Sequence, residues 1–517
     1  MQKGVPLMWV RSRRVKAASQ SARAGSYLAA IMISAVALTG SSVLRADEPS
    51  GIQAAIAIEQ AMVAAIAKAE QSVVSIARVA IDDGSQRLGR DVEPFIIRPG
   101  MPREVPEAKT DPRDPDFVPK EFATGVVIDA KGLILTNYHC VKKEDRHLIT
   151  TIGRKVFRCT SIYAADPRSD LAILKVDDNQ TIAADDFVPI KFGDAKLLRK
   201  GQIVVALGNP YGIARDGQVS ASWGIISNMA RKLSPGPKDE EPTLHQFGTL
   251  IQTDARLNWG ASGGALVNLK GEMVGLTTSL TATTGFEQAA GYAIPIDEGF
   301  KRIINTLRQG KPVEYGFLGI RPAVALRPEF DGGRHGLVVG EVTRGGPASR
   351  GGLSSSDTIT HIGGDPVYDF DDLRLLMGRY GAGALTTLTF ERNSRTHVIE
   401  VSLSKYRKFP GLKSREAIAP TIEPAWRGIR VDYATAIIEL RQGNDNLPVR
   451  VALSEVADKS PAYRAGLRPG MFIGKVNNTP IDSPDDFRNA VAKLSGKVMI
   501  SVVGEYNAEK PIAVEAE

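Results

Sequence analysis

The run Gly260-Ala261-Ser262-Gly263-Gly264 lies near the end of a long series of short apolar segments that sets the fold. Glycines let a backbone turn tightly, so successive N–H groups of such a run can point at one spot. The amides of Gly260 and Ser262 would there bind an oxyanion, beside a Ser262 hydroxyl that acts as a nucleophile. An ordinary glycine-rich turn is the alternative interpretation.

Short β-type runs separated by turn signals fill residues 122–295, among them Thr124–Asp129, Leu171–Val176 and Met273–Thr277. They follow one another too closely for intervening helices, so the pattern predicts an all-β barrel or a pair of barrels. An Ala-rich helix is predicted over 50–70 and another over 297–308. Polar, Pro-rich residues at about 82–121 indicate an inserted loop.

Two further residues complete a hydrolytic set. His139 follows a strand-like run, and Asp170 stands at the entry to an apolar strand. A serine hydroxyl needs a histidine to take its proton, and the histidine needs a carboxylate to fix its tautomer. Each residue alone has an ordinary structural interpretation, but the order His139, Asp170, Ser262 on a β scaffold is what a serine hydrolase requires.

The last third of the chain contains an internal repeat at one constant offset. Gly346-Pro-Ala-Ser-Arg-Gly-Gly-Leu353 parallels Ser460-Pro-Ala-Tyr-Arg-Ala-Gly-Leu467, and Pro366 corresponds to Pro480. The period is too long for a solenoid unit, so two copies of one small domain are predicted. The basic, Pro-bearing residues between the copies are typical of a linker.

The formal net charge of +7 belongs to the amino-terminal leader. Residues 1–46 hold seven basic and no acidic side chains, so the rest is balanced and offers no case for a nucleic acid partner. A basic stretch before the apolar run Tyr27–Leu38 predicts a signal peptide over 1–46 and export to the periplasm or cell envelope. An uncleaved leader that tethers the protein to the membrane is the alternative.

Other chemistries find little support in the sequence. There is no His-Glu-x-x-His run, the two cysteines are not spaced as zinc ligands, and there is no Gly-Lys-Ser nucleotide loop. We therefore expect no metal, no other cofactor and no use of ATP. Cys140 and Cys159 could pair in an oxidising compartment, but we expect them to stay as separate thiols.

Five ordered motifs resemble those of the HtrA (DegP-like) family of trypsin-fold serine proteases with C-terminal PDZ domains. They are Leu135–Val141, Asp166–Leu174, Gly208–Gly212, Ile251–Asn268 and Gly291–Ile296.

The resemblance implies a mostly β chain in which a trypsin-like double β-barrel protease domain spans 47–312. Two PDZ domains, each a small α+β, partly open β-barrel, follow at 313–405 and 424–517, joined by a linker over 406–423.

The resemblance also implies roles for single residues. His139 would be the general base, Asp170 would orient it, Ser262 would attack, and the amides of Gly260 and Ser262 would bind the oxyanion. The segment expected to pair with the substrate backbone is Thr277, Thr278 and Ser279. Leu257 and Leu280 would line an S1 pocket that favours cleavage after Val, Ile or Ala. The loop expected to receive peptide C-termini in the first PDZ domain is Phe317, Leu318, Gly319 and Ile320.

Three features depart from the family pattern. Ala261 stands where Asn is usual and cannot make the side-chain hydrogen bonds that help to hold the oxyanion loop. Trp259 stands where Pro or Arg is common. The charged run at 231–242 lengthens the segment that corresponds to the family's sensor loop, and a passive surface insertion is its alternative interpretation.

The function implied is that of an ATP-independent endopeptidase for misfolded or unfolded exported proteins, assembled as a homo-oligomer of trimers or multiples of them. The alternative is a catalytically weak, chaperone-like scaffold that binds peptides. The complete set of His139, Asp170 and Ser262 favours the protease.

Overall fold

The computed structural model describes ten stretches of the chain. They are residues 51–80, 121–209, 217–231, 249–278, 291–327, 331–406, 417–420, 425–441, 447–504 and 508–516. The predicted signal peptide, nearly all of the Pro-rich insertion and the charged run at 232–242 lie outside them.

The chain divides into two units, Met1–Ala54 and Ala55–Glu517. Of the first unit, the structure describes only the opening turn of helix α1 (Gly51–Ala69), the Ala-rich helix predicted from the sequence. With the short 3-10 turn after it, this helix is long and apolar enough to cross a membrane by length and composition alone. Its apolar side chains are largely exposed, including Ile56, Ile58 and Val63.

The first β unit is an open, seven-stranded antiparallel sheet with the order β5-β4-β1-β2-β3-β7-β6. Its strands are β1 (Val73–Ala80), β2 (Glu121–Asp129), β3 (Leu133–Asn137), β4 (Asp145–Thr150), β5 (Val156–Cys159), β6 (Ile162–Asp166) and β7 (Leu171–Lys175). The mostly β fold is confirmed, with the difference that this unit is a half-barrel, because its edge strands β5 and β6 do not pair with each other.

The second β unit is a closed barrel with the order β10-β13-β12-β11-β8-β9. Its strands are β8 (Ile203–Gly208), β9 (Ser220–Arg231), β10 (Leu250–Thr253), β11 (Ala265–Val267), β12 (Met273–Thr278) and β13 (Gly291–Pro295). The predicted second helix is α2 (Glu298–Arg308), capped by the Asp297 carboxylate, which accepts the amide of Phe300 at 3.0 Å.

One hydrophobic core joins the two β units. Leu135 and Ile173 from the half-barrel pack with Leu207 and Leu276 from the closed barrel, and Phe300 of α2 belongs to the same buried cluster. Burial of this apolar surface fixes the ends of β3, β7 and β11 relative to one another, which is where the predicted catalytic residues lie.

The two repeats have sheets of identical strand order. In the first, the order is β15-β16-β17-β19-β20, with β18 paired to β17 and a separate pair β14-β21. Its elements are β14 (Gly316–Phe317), β15 (Ile320–Leu326), β16 (Gly336–Val342), α3 (Pro347–Arg350), β17 (Thr358–Ile362), β18 (Asp365–Pro366), α4 (Phe370–Gly378), β19 (Leu385–Arg392), β20 (Arg395–Ser402) and β21 (Ser404–Lys405).

In the second repeat, the order is β22-β23-β24-β26-β27, with β25 paired to β24. Its elements are β22 (Ile429–Tyr433), β23 (Val451–Val456), α5 (Pro461–Arg464), β24 (Phe472–Val476), β25 (Thr479–Pro480), α6 (Pro484–Val491), β26 (Val498–Val503) and β27 (Glu509–Val514). The matched Pro347 and Pro461 each occupy the first turn of a short helix, where a missing N–H costs nothing.

Candidate active site

His139 and Asp170 meet at the ends of paired strands. His139 lies in a 3-10 turn directly after β3, and Asp170 lies in the turn between β6 and β7. The ring Nδ1 of His139 is 2.8 Å from Asp170 Oδ2, and the His139 amide donates to Asp170 Oδ1 at 3.0 Å. Both carboxylate oxygens therefore serve one residue, which fixes the orientation of the ring.

The backbone of Asp170 is held as firmly as its side chain. Its carbonyl accepts the amide of Tyr138 at 3.0 Å and the side-chain amide of Asn137 at 3.3 Å. Its φ of 57° lies in the left-handed region, which few residues other than glycine adopt. Asp170 is fully buried, so this strained turn persists because the surrounding bonds determine it.

The electrostatics of the pair favour a charged imidazolium. Burial by itself would lower the pKa of His139, but the Asp170 carboxylate and, after it, Cys140 raise that pKa well above its usual 6.5. A histidine that accepts a proton from a nucleophile becomes a cation, and a facing carboxylate stabilises that form. The pair is therefore suited to general-base chemistry.

The Ser262 loop lies against the same turn. Cys140, the neighbour of His139, places its Sγ 3.9 Å from the Ser262 carbonyl oxygen, and Thr124 of β2 donates its amide to that oxygen at 2.9 Å. Ser262 itself is only 5% exposed. The structure thus brings His139 and Asp170 into direct contact and holds the Ser262 backbone beside them.

The glycines of this run are dictated by close approach. Gly263 has a φ of 83°, and a Cβ on it would lie 2.1 Å from the carbonyl oxygen of Thr124. A Cβ on Gly264 would lie 2.2 Å from the carbonyl oxygen of Leu207. Real side chains cannot occupy either space, so the run packs against both β units with no room for larger residues.

Two threonine hydroxyls hold the loop that Ala261 cannot hold with a side chain. Thr124 Oγ1 donates to the Gly260 carbonyl at 2.7 Å, and Thr277 Oγ1 donates to the Ala261 carbonyl at 2.6 Å. These roles could not be predicted from the sequence, because a threonine in a β-rich region does not show which carbonyl its hydroxyl will bind. Ala261 is buried at 5% exposure, close to Gly208.

The predicted substrate-contacting residues differ in their surroundings. Thr277 is buried in β12, and its main chain is occupied by the loop: its amide donates to Gly264 and its carbonyl accepts from Gly263, both at 2.9 Å. Thr277 therefore holds the Gly260–Gly264 loop, and its pairing with the substrate backbone stays a prediction. Thr278, next along β12, is fully buried, and Ser279 and Leu280 lie outside the described residues.

Leu257 is partly buried against the core of the closed barrel. It lies close to Gly291, where an added Cβ would come within 2.7 Å of Leu257 Cδ1. The absence of a side chain at Gly291 therefore makes room for the Leu257 side chain.

The predicted peptide loop of the first repeat lies where an edge strand begins. Phe317 pairs with Ser404, Leu318 is buried, and Gly319 has a φ of 83°. Ile320 opens β15, the outermost strand of its sheet. An outermost strand offers main-chain N–H and C=O groups to an added peptide.

Cys140 and Cys159 are both buried and form no disulfide, so the separate thiols are what the structure has. Within the described part of the chain, no cluster of three or more His, Cys, Asp or Glu side chains could hold a metal ion.

Comparison with known proteins gives two domain matches. Residues 123–276 match the trypsin-like peptidase domain family, and residues 316–403 match the PDZ domain family. These matches support one PDZ domain where two were predicted.

Relatives match along most of the chain. The "Probable periplasmic serine endoprotease DegP-like" of Pseudomonas fluorescens is 30% identical over 416 residues, which cover 79% of this chain and 82% of that protein. The protein of the same name from Pseudomonas putida is 28% identical over 485 residues, covering 93% and 96%. A solved structure titled "HtrA-type protease AlgW with decapeptide" is 25% identical and covers 66% of this chain and 98% of that one, with a TM-score of 0.44. The chain belongs to the DegP-like (HtrA) family of serine endoproteases.

Proposed function

We propose that this serine endopeptidase uses Ser262 as its nucleophile, His139 as general base and Asp170 as the carboxylate that orients the base. The single observation that carries the proposal is the 2.8 Å contact between His139 Nδ1 and Asp170 Oδ2. Because Nδ1 faces the carboxylate, Nε2 is the nitrogen left to take the proton from the Ser262 hydroxyl.

The reaction is an acyl transfer in two halves. Ser262 Oγ attacks the peptide carbonyl while His139 takes its proton, and His139 then gives that proton to the leaving amine. Water repeats the sequence on the acyl-enzyme and releases the acid. No cofactor, metal or ATP enters either half.

The amides of Gly260 and Ser262 are proposed to bind the oxyanion. In a planar trans peptide, the N–H points away from the C=O of the same peptide unit. The Ala261 carbonyl is bound by Thr277 Oγ1 at 2.6 Å, so the Ser262 amide in the same unit is turned the opposite way. Thr277 therefore fixes one of the two donors that Ala261, unlike Asn, does not help to hold.

The substrates proposed are unfolded or misfolded exported proteins, cut after residues of medium size. Leu257 and Leu280 are both apolar, which suits Val, Ile or Ala at the position before the cleaved bond. The residues proposed to lie along the bound substrate are Thr277, Thr278, Ser279 and Leu280.

The first repeat is proposed to bind peptide C-termini. A free carboxylate would be received by the amides of the Phe317–Ile320 loop, and the peptide would add to the edge of β15. The left-handed φ of Gly319, 83°, supports a loop of this kind.

The domain boundaries proposed are 47–312 for the protease, 313–405 for the first PDZ domain, 406–423 for the linker and 424–517 for a second PDZ domain. The strand order shared by both repeats supports the second assignment. Periplasmic location or membrane tethering, and assembly into trimers or their multiples, are proposed from the same family membership.

The catalytic assignment predicts that the purified protein degrades unfolded casein and that Ser262→Ala abolishes degradation while leaving the fold intact. Because the attacking oxygen is lost, we expect a fall in rate of at least about a thousandfold. Mass spectrometry of the products is expected to show cuts after Val, Ile and Ala. Equal, negligible turnover by both proteins would support the chaperone-like scaffold instead, and cuts mainly after Arg, Lys or Phe would contradict the proposed S1 pocket.

Removal of one loop-holding hydroxyl is a second test. Thr277→Val keeps the shape but loses the bond to the Ala261 carbonyl, so we expect kcat to fall about tenfold or more at nearly constant KM, since a buried hydrogen bond contributes ~1–3 kcal/mol. Thr277→Ser keeps the hydroxyl and is the matched control, with activity close to the starting value. Unchanged kcat in the Val variant would show that the Ser262 amide is fixed without Thr277.

Peptide binding by the first repeat is tested with one peptide in two forms. A peptide with a free C-terminal carboxylate is expected to bind at least about tenfold more tightly than its C-terminal amide, because the loop amides lose their charged acceptor. Isothermal titration of the full-length Ser262→Ala protein measures both. Equal affinities would exclude recognition of the carboxylate.

A further inference from the structure

The turn that carries Asp170 is closed by a second carboxylate, Asp166, which takes no part in the contact with His139. Asp166 ends β6 and is only 3% exposed. Its Oδ2 accepts two bonds from Ser169, one from the amide at 3.0 Å and one from the hydroxyl at 2.7 Å. Asp170 follows Ser169 directly, so the bonds from Ser169 to the Asp166 carboxylate also fix the position of the Asp170 backbone.

A third donor to this same oxygen comes from outside the β units. The hydroxyl of Tyr315 donates to Asp166 Oδ2 across 149 residues of chain. Tyr315 is among the largest fully buried side chains of the protein, at 1% exposure. Burial and the neighbouring Asp166 raise the pKa of Tyr315 well above 10, so its hydroxyl stays a donor at any working pH.

The backbone of Tyr315 belongs to the first repeat. It directly precedes β14, and its carbonyl accepts the amide of Tyr406 at 2.7 Å, immediately after β21. Tyr315 and Tyr406 thus mark the entry and the exit of the repeat, and they are bonded to each other there.

Two guanidinium groups lie near the ring of Tyr315. The guanidinium of Arg168, which lies inside the Asp166–Asp170 turn, is 5.6 Å from the centre of the Tyr315 ring and 5.1 Å from that of Tyr406. The guanidinium of Arg302 on α2 is 5.8 Å from the Tyr315 ring and donates to the Glu314 carbonyl at 3.3 Å. Such contacts favour one ring position.

A residue of the linker after the repeat is bonded to the strand that leads into the same turn. Ile418 and Ala165 exchange both main-chain hydrogen bonds, at 2.8 and 2.9 Å, and Ala165 directly precedes Asp166. The turn is therefore bonded to Tyr315, at the start of the first repeat, and to Ile418, which follows the repeat.

We propose that Tyr315 is a positioning residue for catalysis: its hydroxyl fixes Asp166, and Asp166 fixes the turn that presents Asp170 to His139. The proposal rests on the proposed triad. If Tyr315 has this role, Asp170 is aligned only when the first repeat is packed against the half-barrel.

The test is the pH dependence of peptide hydrolysis by Tyr315→Phe. Loss of the hydroxyl loosens the turn, so we expect kcat to fall on the order of tenfold, with KM within about twofold. Because a misaligned Asp170 supports the imidazolium less, the acidic limb of the kcat/KM profile is expected to move to lower pH. Tyr163→Phe is the matched control, since its hydroxyl donates from β6 to the Arg308 carbonyl at 3.4 Å and not to Asp166.

A second variant separates positioning from loss of fold. Ser169→Ala removes a different donor to the same Asp166 oxygen and is expected to shift the profile in the same direction, with thermal unfolding measured for each protein. A profile that stays in place for both Tyr315→Phe and Ser169→Ala, or a shift as large in Tyr163→Phe, overturns the proposal. If Ser262→Ala is as active as the unchanged protein, the proposed triad itself fails, which is a distinguishable result.

Discussion

Asp170 gives both of its carboxylate oxygens to His139, one to the ring and one to the amide, and its own carbonyl is held by the two residues before that histidine. A buried carboxylate is costly unless its acceptors are used, so the surroundings of this one group constrain much of the protease domain. β3 and β7 must pair in register, and Asp170, in the turn before β7, must adopt a left-handed backbone conformation. The shared core of the two β units supplies the rigidity that keeps these ends together.

The Gly260–Gly264 loop is constrained by the space around it. Gly263 and Gly264 have no room for a side chain, because the carbonyl oxygens of Thr124 and Leu207 lie close to where a Cβ would be. With so little room, the loop is fixed by its main chain, and two threonine hydroxyls complete it. The loss of the usual Asn at 261 is thus offset by groups on neighbouring strands, and the loop does not need a side chain of its own there.

Local and ordered features could be predicted from the sequence. Short strands, helices α1 and α2, the order of His139, Asp170 and Ser262, and the repeated unit all follow from patterns within a few residues or from motif order. Closure of the first barrel was predicted and is not seen, because pairing of β5 with β6 depends on a sheet curvature that the residue pattern does not indicate. Contacts between distant residues could not be foreseen: Thr124 meets Gly260 across 136 residues, and Tyr315 meets Asp166 across 149. The main-chain bonds of Thr277 to Gly263 and Gly264 could not be foreseen either, because motif position alone does not show which main-chain groups are occupied.

In the proposed triad, His139 activates the Ser262 hydroxyl, and Asp170 holds His139 in position. An organofluorophosphate reacts with a serine only where a base takes its proton, so covalent labelling followed by peptide mapping measures that activation at a single atom. We expect one label per chain, on Ser262, and a rate of labelling that falls at least about a hundredfold in His139→Ala. Labelling of a different residue, or an equal rate in the His139 variant, would contradict it.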